Sequence, residues 1–267
     1  MQIIVPVYNA FEALKACILS LEKHNSHCNV VFINDASSDD QVMPLLRDVC
    51  QRKENWQCVE NTNNLGFVKT ANLGLAMSTG HTVLLNSDTL VSTGWLDGLS
   101  YAAKHCNLLG TATPWSNNAE ICSFPKTLTN NRLPLDIDKF AFELQTKHQA
   151  TYPEIPTSVG FCLLVTEQAK KQVGYFDEQT FGHGYGEEND YSLRIQKAGL
   201  RNVLCDNVFV AHVGNQSFKD LDLKPSEATM NRLLAKHPEY AVLIADFIQK
   251  DVLSPLRESI IDKIGRF

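Results

Sequence analysis

Apolar positions along this chain follow two alternating rhythms. Ile3-Ile4-Val5-Pro6-Val7, Val30-Val31-Phe32-Ile33 and Thr82-Val83-Leu84-Leu85 are continuous runs, as in strands buried on both faces. Between them apolar residues recur at helical spacing: Phe11, Leu14, Ile18 and Leu21, then Val68, Ala71 and Leu75. A helix over 40–53 tolerates Pro44 in its first turn, and Gln57-Cys58-Val59-Glu60 reads as a short strand. The order strand, helix, strand, helix, strand, helix, strand predicts βαβ units and a parallel sheet. Right-handed crossovers bring the C-terminal ends of these strands to one edge. Pro6-Val7-Tyr8, Asn34-Asp35 and Asn86-Ser87-Asp88 are expected to meet there, at a natural mononucleotide pocket.

The second half is less regular. Helices are expected over 96–101, 139–146, 167–173 and 191–198, the last closed by Gly199. Strands are expected at 110–114, 159–165, 203–205 and 208–211, with His212 ending the last. Residues 114–134, rich in Asn, Pro, Ser and Thr, read as a long loop, functional or disordered. Beyond 226 the chain is amphipathic helix, with Leu256, Ile260, Ile261 and Ile264 on one stripe. Core packing explains that stripe; a partner or membrane-surface contact is the alternative.

Two stretches carry candidate chemistry. Asp88 follows a buried strand by three residues, where open α/β sheets place ligand chemistry. The same residues also suit a plain strand-to-turn junction. The second stretch is Gly182-His183-Gly184-Tyr185-Gly186-Glu187-Glu188-Asn189-Asp190, a glycine-rich loop running into three carboxylates at a helix start. The helix dipole favours acidic residues there, but three in four positions repel one another, which suggests a site. Asp190 and Arg194, four apart, are read as a structural ion pair.

Composition narrows the classes. The 267 residues carry a formal charge of -6, against an electrostatic nucleic-acid binder. The eight cysteines form no CxxC pair or zinc-ribbon spacing, and read as reduced, mostly buried thiols of a cytosolic protein. No basic leader precedes the first strand, and no apolar run reaches the ~20 residues of a membrane span. The first strand begins at the second residue, as in a domain cut from a longer chain.

Six stretches in order and spacing resemble the family 2 glycosyltransferases of GT-A fold: Ile3 to Asn9, Ile33 to Asp39, 63–67 with Asn72, Leu85 to Thr89, Gly186 to Arg194, and His212. The similarity covers roughly residues 2–215. It implies an α/β fold with a mostly parallel central sheet flanked by helices. The catalytic domain would span 1–220, divided at 113/114 into nucleotide-sugar-binding and acceptor-binding halves, with a helical extension over 221–267. The resemblance implies that Pro6, Tyr8 and Asp35 contact the base and ribose of a nucleotide-diphospho-sugar donor, UDP or dTDP. Asn9, Asn64, Asn72, Asn86 and Ser87 would complete that pocket. Asn86-Ser87-Asp88 stands at the family's Asp-x-Asp element, with Asp88 and His212 holding a divalent metal, Mn²⁺ or Mg²⁺. Glu188 matches the catalytic base of an inverting transfer to a glycan or lipid-linked acceptor. Trp115, Asn117, His183, Tyr185 and Glu187 are candidates to line the acceptor site. The family also suggests bacterial surface-polysaccharide synthesis by rhamnosyltransferase-like enzymes, in the cytoplasm or at the inner face of the membrane.

The sequence departs from the pattern at three positions. Asn86 replaces the first acid of Asp-x-Asp, Asn34 replaces a common acid, and the base is Glu where Asp is usual. A non-catalytic nucleotide-sugar-binding module therefore stays open. A sugar-phosphate nucleotidyltransferase would carry a glycine-rich basic loop after the first strand, where this chain has Val7-Tyr8-Asn9-Ala10-Phe11. No GxGxxG follows a strand, which argues against a dinucleotide dehydrogenase.

Overall fold

The continuous apolar runs are strands covered on both faces, as the computed structural model shows; it describes residues 1–182, 184–214 and 227–265. Strands β1 (Gln2–Val7), β2 (Asn29–Asn34), β3 (Trp56–Glu60) and β4 (Thr82–Leu85) alternate with helices α1 (Phe11–Asn25), α2 (Val42–Arg52) and α3 (Phe67–Met77). Consecutive strand side chains point to opposite faces. Ile3, Val5, Phe32 and Leu85 accordingly join one apolar cluster, and Ile4, Val31, Ile33 and Leu84 join another.

A two-residue strand β5 (Thr89–Leu90) and helix α4 (Trp95–His105) lead into β6 (Leu109–Trp115), α5 (Ile137–Lys147), β7 (Cys162–Val165), α6 (Glu167–Val173) and α7 (Glu178–Phe181). Then follow α8 (Glu187–Lys197), β8 (Arg201–Phe209), β9 (Ala211–His212), α9 (Glu227–Lys236), α10 (Tyr240–Lys250) and α11 (Ser254–Ile264). The main sheet has the order β3-β2-β1-β4-β7-β6-β8. Its pairs are parallel except those of β7, which runs antiparallel to both β4 and β6. The mostly parallel α/β sheet is thus present. The strands expected at 203–205 and 208–211 are instead one strand through Phe209, β8, whose register to β6 shifts at Pro114/Trp115, with Ala211 passing into β9.

The polar stretch 116–134 is ordered by its own backbone. Phe124 donates to the Ser116 carbonyl at 2.7 Å and Leu128 to Glu120 at 3.0 Å, around a 3₁₀ turn Glu120–Cys122. The C-terminal stripe is core: Ile260 is buried, and Leu256, Ile261 and Ile264 pack on the larger cluster. Helix α10 differs, since none of its residues is buried. No helix among the described residues is long and apolar enough to cross a membrane.

One buried carboxylate escaped the sequence reading. Asp206, fully buried in β8, accepts from His148 Nε2 at 2.8 Å, Thr151 Oγ1 at 2.8 Å, and the backbone N–H groups of Thr151 and Tyr152 at 3.0 Å. It ties the chain after α5 to the edge of the sheet.

Helix α3 sits against β1 without room for a methyl group at Gly74, whose added Cβ would lie 2.2 Å from Ile4 Cγ2. Gly74→Ala should therefore lower the melting temperature. Alanine's helix advantage of about 1 kcal/mol is outweighed by overpacking against a stiff β-branched side chain, typically ~1–3 kcal/mol. A thermal melt reads the sign; a raised midpoint would mean that α3 is free to shift off the sheet.

Candidate active site

Strand β4 delivers Asn86-Ser87-Asp88 to the C-terminal edge of the sheet, and the chain there pairs with a segment more than a hundred residues away. β5 and β9 form a two-stranded antiparallel sheet in which Thr89 faces His212. Val213 donates to the Asp88 carbonyl at 3.0 Å. The pairing sets His212 Nε2 3.4 Å from Asp88 Oδ1.

The imidazole is held from three sides. Its Nδ1 lies 2.8 Å from the Asn118 carbonyl, which can only accept, so Nδ1 carries the proton. Asn117 brackets the His212 backbone, accepting from its N–H at 2.8 Å and donating to its carbonyl at 3.1 Å. The ring stacks on Phe161 at 5.3 Å between centroids. Burial lowers the proton affinity of His212, but the hydrogen bond and charge of Asp88 outweigh it and raise the pKa above the ordinary value. The neutral ring presents an Nε2 lone pair beside a carboxylate, a mixed nitrogen–oxygen donor set that suits Mn²⁺. A carbonyl bound to the other ring nitrogen is the usual orienting partner of a metal-bound histidine. Among the described residues, no three His, Cys, Asp or Glu side chains are grouped to hold one ion. Among the described residues, Asp88 and His212 are the candidate ligands at this point.

Helix α8 supplies the opposing carboxylates. Gly186 opens it at φ 95°, which glycine adopts without strain, and an added Cβ would meet the Phe181 ring at 3.0 Å. Glu187 is buried and Glu188 half-buried. The Oε2 of each is out of solvent contact, with no hydrogen-bond partner among the described residues. Burial raises the proton affinity of both, and the charge of Glu188 raises Glu187 well beyond its ordinary value. A hydrogen bond from Glu187 works the other way on Glu188. Both carboxyls thus take up a proton more readily than a free glutamate, chiefly because they are buried side by side. Asp190, the third acid, is structural: it meets Arg194 Nε at 2.8 Å, Lys236 Nζ at 2.7 Å and His237 Nε2 at 2.8 Å. That network fastens α9 onto α8.

Asp88, Glu187, Glu188 and His212 line one cleft of about 470 Å³, with Asn86, Asn118, Phe161 and Tyr185. The far wall comes from α9 and α10, through Met230, Leu233, Tyr240, Ile244 and Ile248. Burial, then the charges of Glu188 and Glu120, push the Tyr240 hydroxyl up to about 12.

The remaining expected site residues divide. Pro6 and Tyr8 lie half-buried at the end of β1, and Ser87 is buried beside Asp88. Asp35 follows β2 with both oxygens occupied: Oδ1 accepts from Leu65 N–H and Asn61 Nδ2, and Oδ2 from Gly66 N–H, each at 2.8 Å. It shapes the loop that holds Asn64, whose Oδ1 caps Gly66 N–H at 3.0 Å. Asn9 Oδ1 accepts from Ser38 and Asp39 N–H, fixing the turn after β2. Asn72 is turned away from the sheet edge: its amide bonds both the N–H and the carbonyl of Phe176, each at 3.0 Å, and clamps α3 to the 176–178 segment.

Two acceptor candidates are corrected. Trp115 is fully buried core whose indole N–H donates to the Asp206 carbonyl at 3.2 Å. Asn117 is buried and occupied with His212, so it positions the site without lining the cleft. His183 lies outside the described residues. Asn118, in the loop expected over 114–134, does line the cleft. Sequence reasoning missed Glu120 in the same loop, Tyr240 and the α9–α10 wall; the helices gave only an amphipathic pattern.

Comparison with solved structures places the fold. GalNAc-T7 with UDP, GalNAc and Mn²⁺ superposes with a TM-score of 0.64 at 13% identity, covering 97% of this chain; this chain spans 54% of that one. The mannosyltransferase PcManGT from Pyrobaculum calidifontis, in complex with GDP-Man and Mn²⁺, gives 0.56 at 14% identity, covering 97% and 84%. S. aureus TarS 1-349 with UDP-GlcNAc gives 0.57 at 14% identity, covering 99% and 79%. These neighbours share the GT-A fold with this chain. A comparison with curated proteins gave no match. The model of the family described as glycosyl transferase family 2 matches residues 2–161, taking in Asp35 and Asp88 and stopping short of Glu188 and His212. With 160 of 267 residues matched and the GT-A architecture around them, the chain belongs to glycosyl transferase family 2.

Proposed function

We propose that this glycosyltransferase moves a sugar from a nucleotide-diphospho-sugar, with UDP or dTDP as nucleotide, to a hydroxyl of a glycan or lipid-linked acceptor, inverting the anomeric centre. The convergence of Asp88, His212 and Glu188 on one cleft carries the reading. Pro6, Tyr8 and Asp35 end strands on the same sheet edge, which supports a nucleotide lying across β1 and β2 with its diphosphate toward Asp88.

Asp88 and His212, a carboxylate and an imidazole on one wall of the cleft, would hold a divalent ion, Mn²⁺ or Mg²⁺. When bound, the ion neutralises charge growing on the diphosphate leaving group. Glu188 takes the proton of the acceptor hydroxyl. The acceptor oxygen bonds to the anomeric carbon as the carbon–phosphate-oxygen bond breaks, and its electron pair leaves on the diphosphate. Glu187, buried beside it, raises the proton affinity of the pair and so favours proton uptake by the base. The aliphatic wall of α9 and α10 limits water at the reacting carbon.

Thermal shift and donor hydrolysis with UDP-, dTDP- and GDP-sugars and Mn²⁺ test the reading. At least one donor should stabilise the protein and be hydrolysed slowly without acceptor; no response to any of them would refute it. Asp88→Ala should abolish the metal-dependent part of both signals. Wild-type activity that persists undiminished in a chelator would remove Asp88 and His212 from a metal role.

A further inference from the structure

We propose that the acceptor is a neutral hydroxyl compound carrying an apolar group, bound between the carboxylates of the cleft and the aliphatic wall of α9 and α10. The inference rests on the transferase reading and narrows its acceptor class.

The first support is charge. Asp88, Glu120, Glu187 and Glu188 line the cleft, and no lysine or arginine among the described residues does. On the donor side an ion at Asp88 and His212 would meet the diphosphate. On the acceptor side Glu120, Glu187 and Glu188 form no ion pair with a lysine or arginine among the described residues. A phosphate, sulfate or uronate on the acceptor would sit against them in a partly desolvated space, where like charges repel strongly.

The second support is the composition of the far wall. α9 and α10 contribute Met230, Leu233, Ile244 and Ile248, with Tyr240 their single aromatic residue in the cleft. Met230 is 42% exposed and Ile248 37%. α10 reads Tyr-Ala-Val-Leu-Ile-Ala-Asp-Phe-Ile-Gln-Lys and buries none of these side chains. A helix this apolar normally faces a core. Here part of its apolar face runs directly into the cleft. A bare sugar pairs best with aromatic faces and hydrogen-bonding groups; aliphatic side chains match a hydrocarbon attached to it.

Titration calorimetry on the full chain tests both supports without a nucleotide sugar, so failure here leaves the donor reading standing, and failure of the donor reading leaves these results interpretable. The probes are octyl β-D-glucoside, methyl β-D-glucoside and octyl β-D-glucuronide, each below its micelle-forming concentration. Octyl glucoside should bind at least tenfold more tightly than either of the others. Equal affinity for octyl and methyl glucoside overturns the apolar assignment. Equal affinity for octyl glucoside and octyl glucuronide overturns the charge assignment, and also exposes tail binding elsewhere on the surface. Ile248→Ser, at a partly exposed position that should still fold, should weaken octyl glucoside at least threefold. Unchanged affinity places the tail away from α10 and defeats the proposal. Glu120→Gln should narrow the gap between glucoside and glucuronide; a constant gap removes Glu120 from the discrimination.

Discussion

Glu188→Gln is expected to retain donor binding and to lose sugar transfer by at least about a hundredfold, the usual contribution of a positioned base. The amide keeps the shape and hydrogen-bonding reach of the side chain but cannot take a proton. Donor affinity should hold, because the residues proposed to bind the donor lie on the sheet edge and at the β5–β9 junction, apart from α8. The pH profile provides a second reading. Burial raises the proton affinity of Glu188, and that of its neighbour Glu187 further. The base works only when ionised. Activity should therefore fall as pH drops through a value above the ordinary glutamate pKa of about 4.3. The two carboxyls titrate together, so the limb belongs to the pair. Near-normal transfer by the Gln variant would remove Glu188 from the role, whatever the profile.

Asp206→Ala should be the most damaging single change to stability away from the cleft. Its four donors, from His148, Thr151 and Tyr152, would lose their acceptor, and the imidazole of His148 is itself buried. Unsatisfied buried donors cost about 1–3 kcal/mol each, and stripping one partner from a buried ionic network typically costs ~3–5 kcal/mol. We expect a loss of at least about 3 kcal/mol by denaturant unfolding. The carboxylate also links stability to pH. Burial opposes ionisation of Asp206, but the hydrogen bonds from His148, Tyr152 and Thr151 outweigh it and hold the pKa below the ordinary aspartate value. A depressed folded-state pKa gives stability that is present above the unfolded value of about 3.9 and lost as pH falls through the folded one. The variant should show a smaller acid-side loss than the wild type. Equal acid sensitivity would mean that Asp206 carries no such linkage.

Much of the first half was legible because its code is local. Runs at 3–7, 30–33 and 82–85 and the short stretch 57–60, with helical spacing between them, set four strands, their order along the chain and their common edge. The Asp190–Arg194 pair was equally readable, being one helical turn apart. Other assignments failed where a side chain had to choose among distant partners. Trp115 looked like an exposed loop aromatic because the apolar run stops at Pro114, yet β6 carries it into the core. Asn72 and Asn117 looked like ligand-binding amides, yet each satisfies backbone groups of a segment far along the chain. An asparagine reads the same in sequence whether it faces a ligand or a buried peptide group.

Sequence alone set the α/β class and the parallel first half, through periodicity, and the placing of Asp88 at a strand end and of Glu187, Glu188 and Asp190 at a helix start, since these depend on neighbours within a turn or a strand. Only the tertiary structure decided that β7 runs against its neighbours, that Asp88 meets His212, and that α9 and α10 wall the cleft. Those outcomes follow from strand register and from polar atoms finding partners across a hundred residues, and no local pattern encodes either.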